Sequence, residues 1–179
     1  MHGLVDILTA ELDADTQQML KVIACELENL GYVKNGYEEA LVEREKEYPT
    51  GLAVEHLINV AIPHADIEYA LRQAIVIIKH SNTSFRFGKM DEPNKSIPVS
   101  AVFLLVLKES EGYMRFLADL AELFQDHSFI ETVKEDRPAS IAKFLKDKLD
   151  KYNLRYKGQL DFPGRNKGLP SNSVGKPVC

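Results

Sequence analysis

The chain contains no tryptophan and only two cysteines, Cys25 and Cys179, among its 179 residues. Two thiols do not make the disulfide framework of a secreted domain, and a reducing cytoplasm is the expected setting. No basic start followed by an apolar core opens the sequence, so no secretory signal is expected. The longest purely apolar run, AVFLLVL from Ala101 to Leu107, is far shorter than the ~20 residues a bilayer span needs, and no direct membrane insertion is expected. Basic residues are fewer than acidic ones, 22 against 27, for a net charge of -5. Phosphate backbones select basic surfaces, so nucleic acid is not an expected partner.

Several chemical signatures are also missing. No His/Cys cluster has metal-ligand spacing, so no metal is expected. No G-x-S-x-G elbow anchors a hydrolase, and no Gly-rich loop follows a strand as a dinucleotide or P-loop fold would need. No cofactor is implied. Without tryptophan or an aromatic cluster, a domain that merely stacks on sugars lacks support.

What remains is a soluble globular composition, 45% hydrophobic and 27% charged, long enough for one domain. Leu20, Ile23, Leu27 and Leu30 recur at helical spacing, with Gly31 as the stop. NGYEEALVEREKEYP predicts a second helix, capped by Asn35 and ended by Pro49. Three strands are then expected, INVAIPH, QAIVIIKH and IPVSAVFLLVLKE, with a brief SFRF between the last two. A third helix follows, placing Met114, Leu117, Leu120 and Leu123/Phe124 on one face. A short helix capped by Ser128 and one beginning at Pro138 complete the set. The fold class is α/β, with a mixed β-sheet flanked by helices on both faces. One domain is expected over residues 1–155. Residues 156–179, rich in Gly, Pro and polar side chains, read as a flexible tail or linker.

The candidate chemistry centres on histidine. His2, His80 and His127 read as surface residues, while His56 precedes a strand. The run EREKE, Glu43 to Glu47, reads as a solvated helix face. His64 differs, because it follows Pro63 where an apolar run ends. Pro63 restrains the backbone there, so the ring is aimed into a cleft rather than left loose. With no partner Ser or Cys nearby, its available chemistry is direct attack by a ring nitrogen. From position alone it is either that nucleophile or a structural histidine.

The longer stretch EREKEYPTGLAVEHLINVAIPHA resembles the enzyme IIA domains of the bacterial sugar phosphotransferase system, fructose/mannitol-type superfamily. The elements that match are Arg44, Thr50-Gly51 and Ala61-Ile62-Pro63-His64. The E-x-P-T-G form and the later MDEPNKSIPVSAVFLLVLKE look most like the galactitol-type branch. The resemblance implies a phosphoryl relay. The phosphocarrier HPr would donate to His64, and the group would pass to a cysteine of enzyme IIB and then to a sugar entering through the membrane component, enzyme IIC. Arg44 would stabilise the phosphoryl group, with Thr50 and Gly51 adding neutral donors. Many members carry a second histidine where this chain has Tyr113, which would either support the site or cap the cleft. The resemblance is equally compatible with a regulatory module whose phosphorylation state signals to a transcription regulator or kinase.

Overall fold

The computed structural model describes residues 3–54, 57–108, 110–135 and 137–162, with the side chains of residues 110–113 outside the description. In chain order the elements are β1 (Val5–Leu12), α1 (Thr16–Asn29), α2 (Tyr37–Glu47), β2 (Gly51–Val54), β3 (Ile58–Ala61) and β4 (Gln73–His80). Then come β5 (Phe85–Gly88), β6 (Ser96–Val99), β7 (Ala101–Val106), α3 (Ser110–Leu123), α4 (His127–Glu135), α5 (Pro138–Lys148) and β8 (Leu154–Gln159). Six strands form one mixed sheet in the order β2-β3-β7-β4-β1-β8, and β5 pairs with β6 as a separate ribbon. β4 runs parallel to β1 and antiparallel to β7, which in turn runs parallel to β3.

The unbroken apolar runs of β4 and β7 reflect burial on both faces. Ala74, Val76 and Ile78 join Val102, Leu104 and Val106 in a core with α1 and α2. The intervening Ile75 and Ile77 join Phe103 and Leu105 in a second core with α3, α4 and α5. Period-two alternation therefore feeds two apolar layers instead of one apolar and one solvated face. The α/β sandwich expected from the sequence is the fold observed. Among the described residues, no helix is long and apolar enough to cross a membrane.

The sequence and the structure differ at identifiable points. β1, β2 and β8 have no counterpart among the expected strands. Tyr156–Gln159, expected in a flexible tail, continue β8 along β1, and Leu160 is buried beyond it. That docking depends on Asp6, buried on β1, which accepts hydrogen bonds from Tyr32, Arg72 and Arg155. The rest of the expected tail, residues 163–179, lies outside the described residues. The long strand IPVSAVFLLVLKE is two strands, because Ser100 donates its N–H to Asn59 and redirects the chain from the ribbon into the main sheet. Met114 is exposed, and Phe116 takes the core position with Leu120, Leu123 and Phe124. Asn35 does not cap α2. Gly36 holds the cap position at φ 87°, open to glycine without strain, and the Asn35 amide reaches Glu28 instead. Asp126, not Ser128, caps α4 by accepting the Phe129 N–H. Gly31 does end α1, at φ 72°.

Candidate functional site

His64 lies just beyond β3, where the chain leaves the sheet. The Leu105 N–H on β7 donates to the Pro63 carbonyl at 3.0 Å, anchoring the segment to the central strand. Pro63 has no N–H to spend and limits the backbone freedom before the ring. The imidazole is thus carried on an exit pinned to the sheet, and it borders a cleft of about 430 Å³ with Arg44, Ala65, Asp66, Leu105 and Leu107.

The ring's two nitrogens are not equivalent. Nδ1 lies 3.0 Å from the Ile62 carbonyl oxygen. A carbonyl can only accept, so the neutral ring carries its proton on Nδ1 and leaves a lone pair on Nε2. Arg44 Nη2 stands 3.3 Å from that Nε2. Burial, reinforced by the Arg44 charge, holds the imidazole below its ordinary pKa of 6.5 against the opposing pull of the Ile62 carbonyl and Asp66. His64 is therefore predominantly neutral at pH 7, with its Nε2 lone pair facing a guanidinium.

Arg44 comes from the last turn of α2. Its Nη1 reaches Asp66 Oδ1 at 3.4 Å, and its guanidinium carbon lies 5.7 Å from the centre of the Tyr48 ring. Its Nε is buried without a hydrogen-bond partner among the described residues. The group thus touches the imidazole with one arm and an aspartate with the other, and keeps spare donor capacity. A neutral nucleophile beside a planar cation with several N–H groups can bind and receive a tetrahedral anion.

The other sequence candidates are placed differently. Thr50 is buried and faces Glu45: its N–H and hydroxyl both donate to that carboxylate, at 2.8 Å each. Gly51 does not line the cleft. A side chain there would put a Cβ 2.5 Å from the Gly88 carbonyl oxygen, so its bareness lets β2 approach the ribbon. Tyr113 belongs to α3, and its side chain is outside the described residues, as are His2 and His56. His127 is exposed as expected. His80, expected at the surface, is largely covered, and its Nδ1 accepts the N–H groups of Asn82 and Thr83 to shape the turn after β4.

Two acidic residues of the site were not singled out by sequence reasoning. Asp66, two residues past His64, is Arg44's carboxylate partner. Glu45, from the run read as solvated, is half-buried and holds Thr50; burial pushes its carboxyl up to about 7 against the lowering effect of the two Thr50 donors. In both cases the signal was adjacency: a carboxylate next to Arg44, and another beside His64.

Residues 6–148 match the family described as "Phosphoenolpyruvate-dependent sugar phosphotransferase system, EIIA 2". The galactitol-specific EIIA component of Escherichia coli strain K12 is 29% identical over 119 residues, covering 66% of this chain and 77% of that protein. A complex of mannitol enzyme IIA with phosphorylated enzyme IIB from Escherichia coli shares the fold at TM-score 0.59 and 21% identity, covering 79% of this chain and 94% of that one. The nitrogen regulatory protein IIA-Ntr of Neisseria meningitidis does so at TM-score 0.56 and 22% identity, over 75% of this chain and 89% of that one.

Proposed function

The chain belongs to the EIIA 2 family of the phosphoenolpyruvate-dependent sugar phosphotransferase system, and on that premise we propose that it carries the relay's phosphoryl group on Nε2 of His64. The observation that carries this reading is the Nδ1–H bond to Ile62, which turns the Nε2 lone pair toward Arg44, 3.3 Å away.

The donor is the phosphohistidine of HPr. Nε2 of His64 attacks phosphorus, an N–P bond forms, and the bond to the donor's ring nitrogen breaks in line with it. The His64 ring gains positive charge as its lone pair is shared, and the Ile62 carbonyl stabilises the Nδ1–H meanwhile. Arg44 donates to the phosphoryl oxygens where negative charge gathers. The charged ring is then a competent leaving group. A cysteine thiolate of the cognate enzyme IIB attacks, an S–P bond forms, and the neutral imidazole returns. Neither step consumes a further reactant. The phosphoryl group reaches the sugar through enzyme IIC, so this chain never touches the transported molecule.

A galactitol-like sugar alcohol is the proposed cargo, supported by the similarity to the galactitol component. Transport is favoured over a regulatory role for the same reason, since the sandwich itself is common to transport and regulatory proteins. Incubation with phosphoenolpyruvate, enzyme I and HPr should place a single acid-labile phosphoryl group on the protein and none on His64→Ala. Onward transfer to an enzyme IIB cysteine supports transport. Labelling of the His64→Ala protein would overturn the assignment.

A further inference from the structure

Arg44 and Glu45 are consecutive residues of α2, yet they reach opposite nitrogens of one imidazole. Arg44 contacts Nε2 directly. Glu45 reaches Nδ1 through a chain of hydrogen bonds. Its two carboxylate oxygens accept the Thr50 N–H and hydroxyl, both at 2.8 Å. The Thr50 carbonyl accepts the Ile62 N–H at 3.4 Å, and the Ile62 carbonyl accepts the His64 Nδ1–H at 3.0 Å. The N–H and C=O of Ile62 belong to different peptide groups, so this chain transmits position and not polarisation.

We propose that Glu45 and Thr50 are positioning residues for phosphoryl transfer: by gripping Thr50 at two points, Glu45 sets the end of α2, which carries Arg44, against the exit of β3, which carries His64. The proposal rests on His64 being the phosphoryl acceptor. In-line transfer is intolerant of small displacements, and a misplacement of about 1 Å costs roughly 100-fold in rate. Gly51, immediately after Thr50, is packed on the Gly88 carbonyl, so Thr50 is held from its other side too. A carboxylate here is a poor plug, because burial opposes its charge, and an apolar side chain would fill the space without that penalty.

Three variants test this: Thr50→Val, which keeps the shape and loses the hydroxyl, Thr50→Ser, which restores it, and Glu45→Gln, which keeps one acceptor oxygen. Two quantities are read on each, after thermal unfolding has confirmed a folded protein. One is the initial rate of phosphorylation by phospho-HPr. The other is the share of the Nδ1–H tautomer of His64, from its ring ¹⁵N shifts. Thr50→Val should slow transfer roughly tenfold, the scale of one buried hydrogen bond, and raise the Nε2–H tautomer. Thr50→Ser should keep both near wild type, and Glu45→Gln should fall between. Wild-type rate and tautomer in Thr50→Val and Glu45→Gln would overturn the proposal. So would a slowed rate with an unchanged tautomer, or a Thr50→Ser protein as impaired as Thr50→Val. If Thr50→Val does not fold, Glu45→Gln decides: a slowed rate with more Nε2–H tautomer supports the proposal, and wild-type values overturn it. Should the wild-type protein itself not be phosphorylated, the acceptor assignment fails, while the tautomer series still decides whether Glu45 and Thr50 orient the ring.

Discussion

Arg44 Nη2 stands 3.3 Å from His64 Nε2, across a separation of twenty residues in the chain. The imidazole's Nδ1 is bonded to the Ile62 carbonyl, so Arg44 contacts the nitrogen that carries the lone pair. In the proposed relay, the guanidinium that would support a phosphoryl group also depresses the basicity of the atom that would attack it. Burial and the Arg44 charge favour the neutral ring, and in the proposed relay Arg44's remaining N–H groups would meet the phosphoryl oxygens.

Replacing Arg44 with alanine should reduce the rate of phosphorylation by phospho-HPr about 10²- to 10³-fold, the usual loss when a transition-state donor is removed. Arg44→Lys should recover part of it, since a point charge replaces a planar fork. Rapid-quench measurement of labelled protein tests this. Equal rates for wild type and Arg44→Ala would remove the guanidinium from the chemistry.

Burial, with the Arg44 charge, holds the His64 ring below its ordinary pKa of 6.5 and so favours its neutral form near pH 7. The rate of phosphorylation should accordingly stay flat as pH falls from 8 to 6.5 and decline only below that value, as Nε2 takes up a proton. Removing the Arg44 charge should move the midpoint upward. A ¹H NMR titration of the His64 ring locates it, and a midpoint above 6.5 in the wild type would contradict the burial of the ring.

Glu45 affects stability in the opposite direction. Its folded pKa is raised from 4.5 to about 7, so between those values the folded state holds a proton that the unfolded state has released. Stability from this group is present below about 4.5 and is lost as pH rises through about 7. Glu45→Gln should therefore lower the loss of stability between pH 5 and pH 8 by an amount of order 2 kcal/mol. Urea unfolding at the two pH values tests this.

Asp6→Ala should destabilise the protein by ~2 kcal/mol, since Tyr32, Arg72 and Arg155 lose a shared buried partner. The half-exposed arginines keep the figure below that of a fully buried pair. Amide exchange should accelerate most in β8, which Arg155 ties to the sheet. Uniform acceleration would show that Asp6 serves the whole fold instead.

The residues most legible in the sequence were those whose signal is local. The period of Leu20, Ile23 and Leu27 specifies α1, and continuous apolar runs specify β4 and β7 because both faces are buried. β1 was hidden because Asp6, Thr9 and Glu11 interrupt its apolar pattern, and the partners that make buried Asp6 tolerable lie as far as 149 residues away. β8, an edge strand with four exposed residues, is polar for the same reason that it can sit at an edge. In α3 the expected face holds at Leu120, Leu123 and Phe124 and fails near the start of the helix, where Met114 is exposed and Phe116 is buried. At the site, Pro63 and His64 were readable from local chemistry, and Arg44 from family resemblance. The direction of Thr50 was not, because a threonine hydroxyl goes to whichever acceptor the fold brings near, and here that acceptor is Glu45.

The central claim is that Nε2 of His64 forms the N–P bond. It is tested most directly by phosphorylating ¹⁵N-histidine-labelled protein with phosphoenolpyruvate, enzyme I and HPr and recording the ³¹P–¹⁵N coupling. One phosphoryl signal coupled to His64 Nε2, with Nδ1 still protonated, is the expected result. Coupling to Nδ1, or to any other residue, would contradict the account.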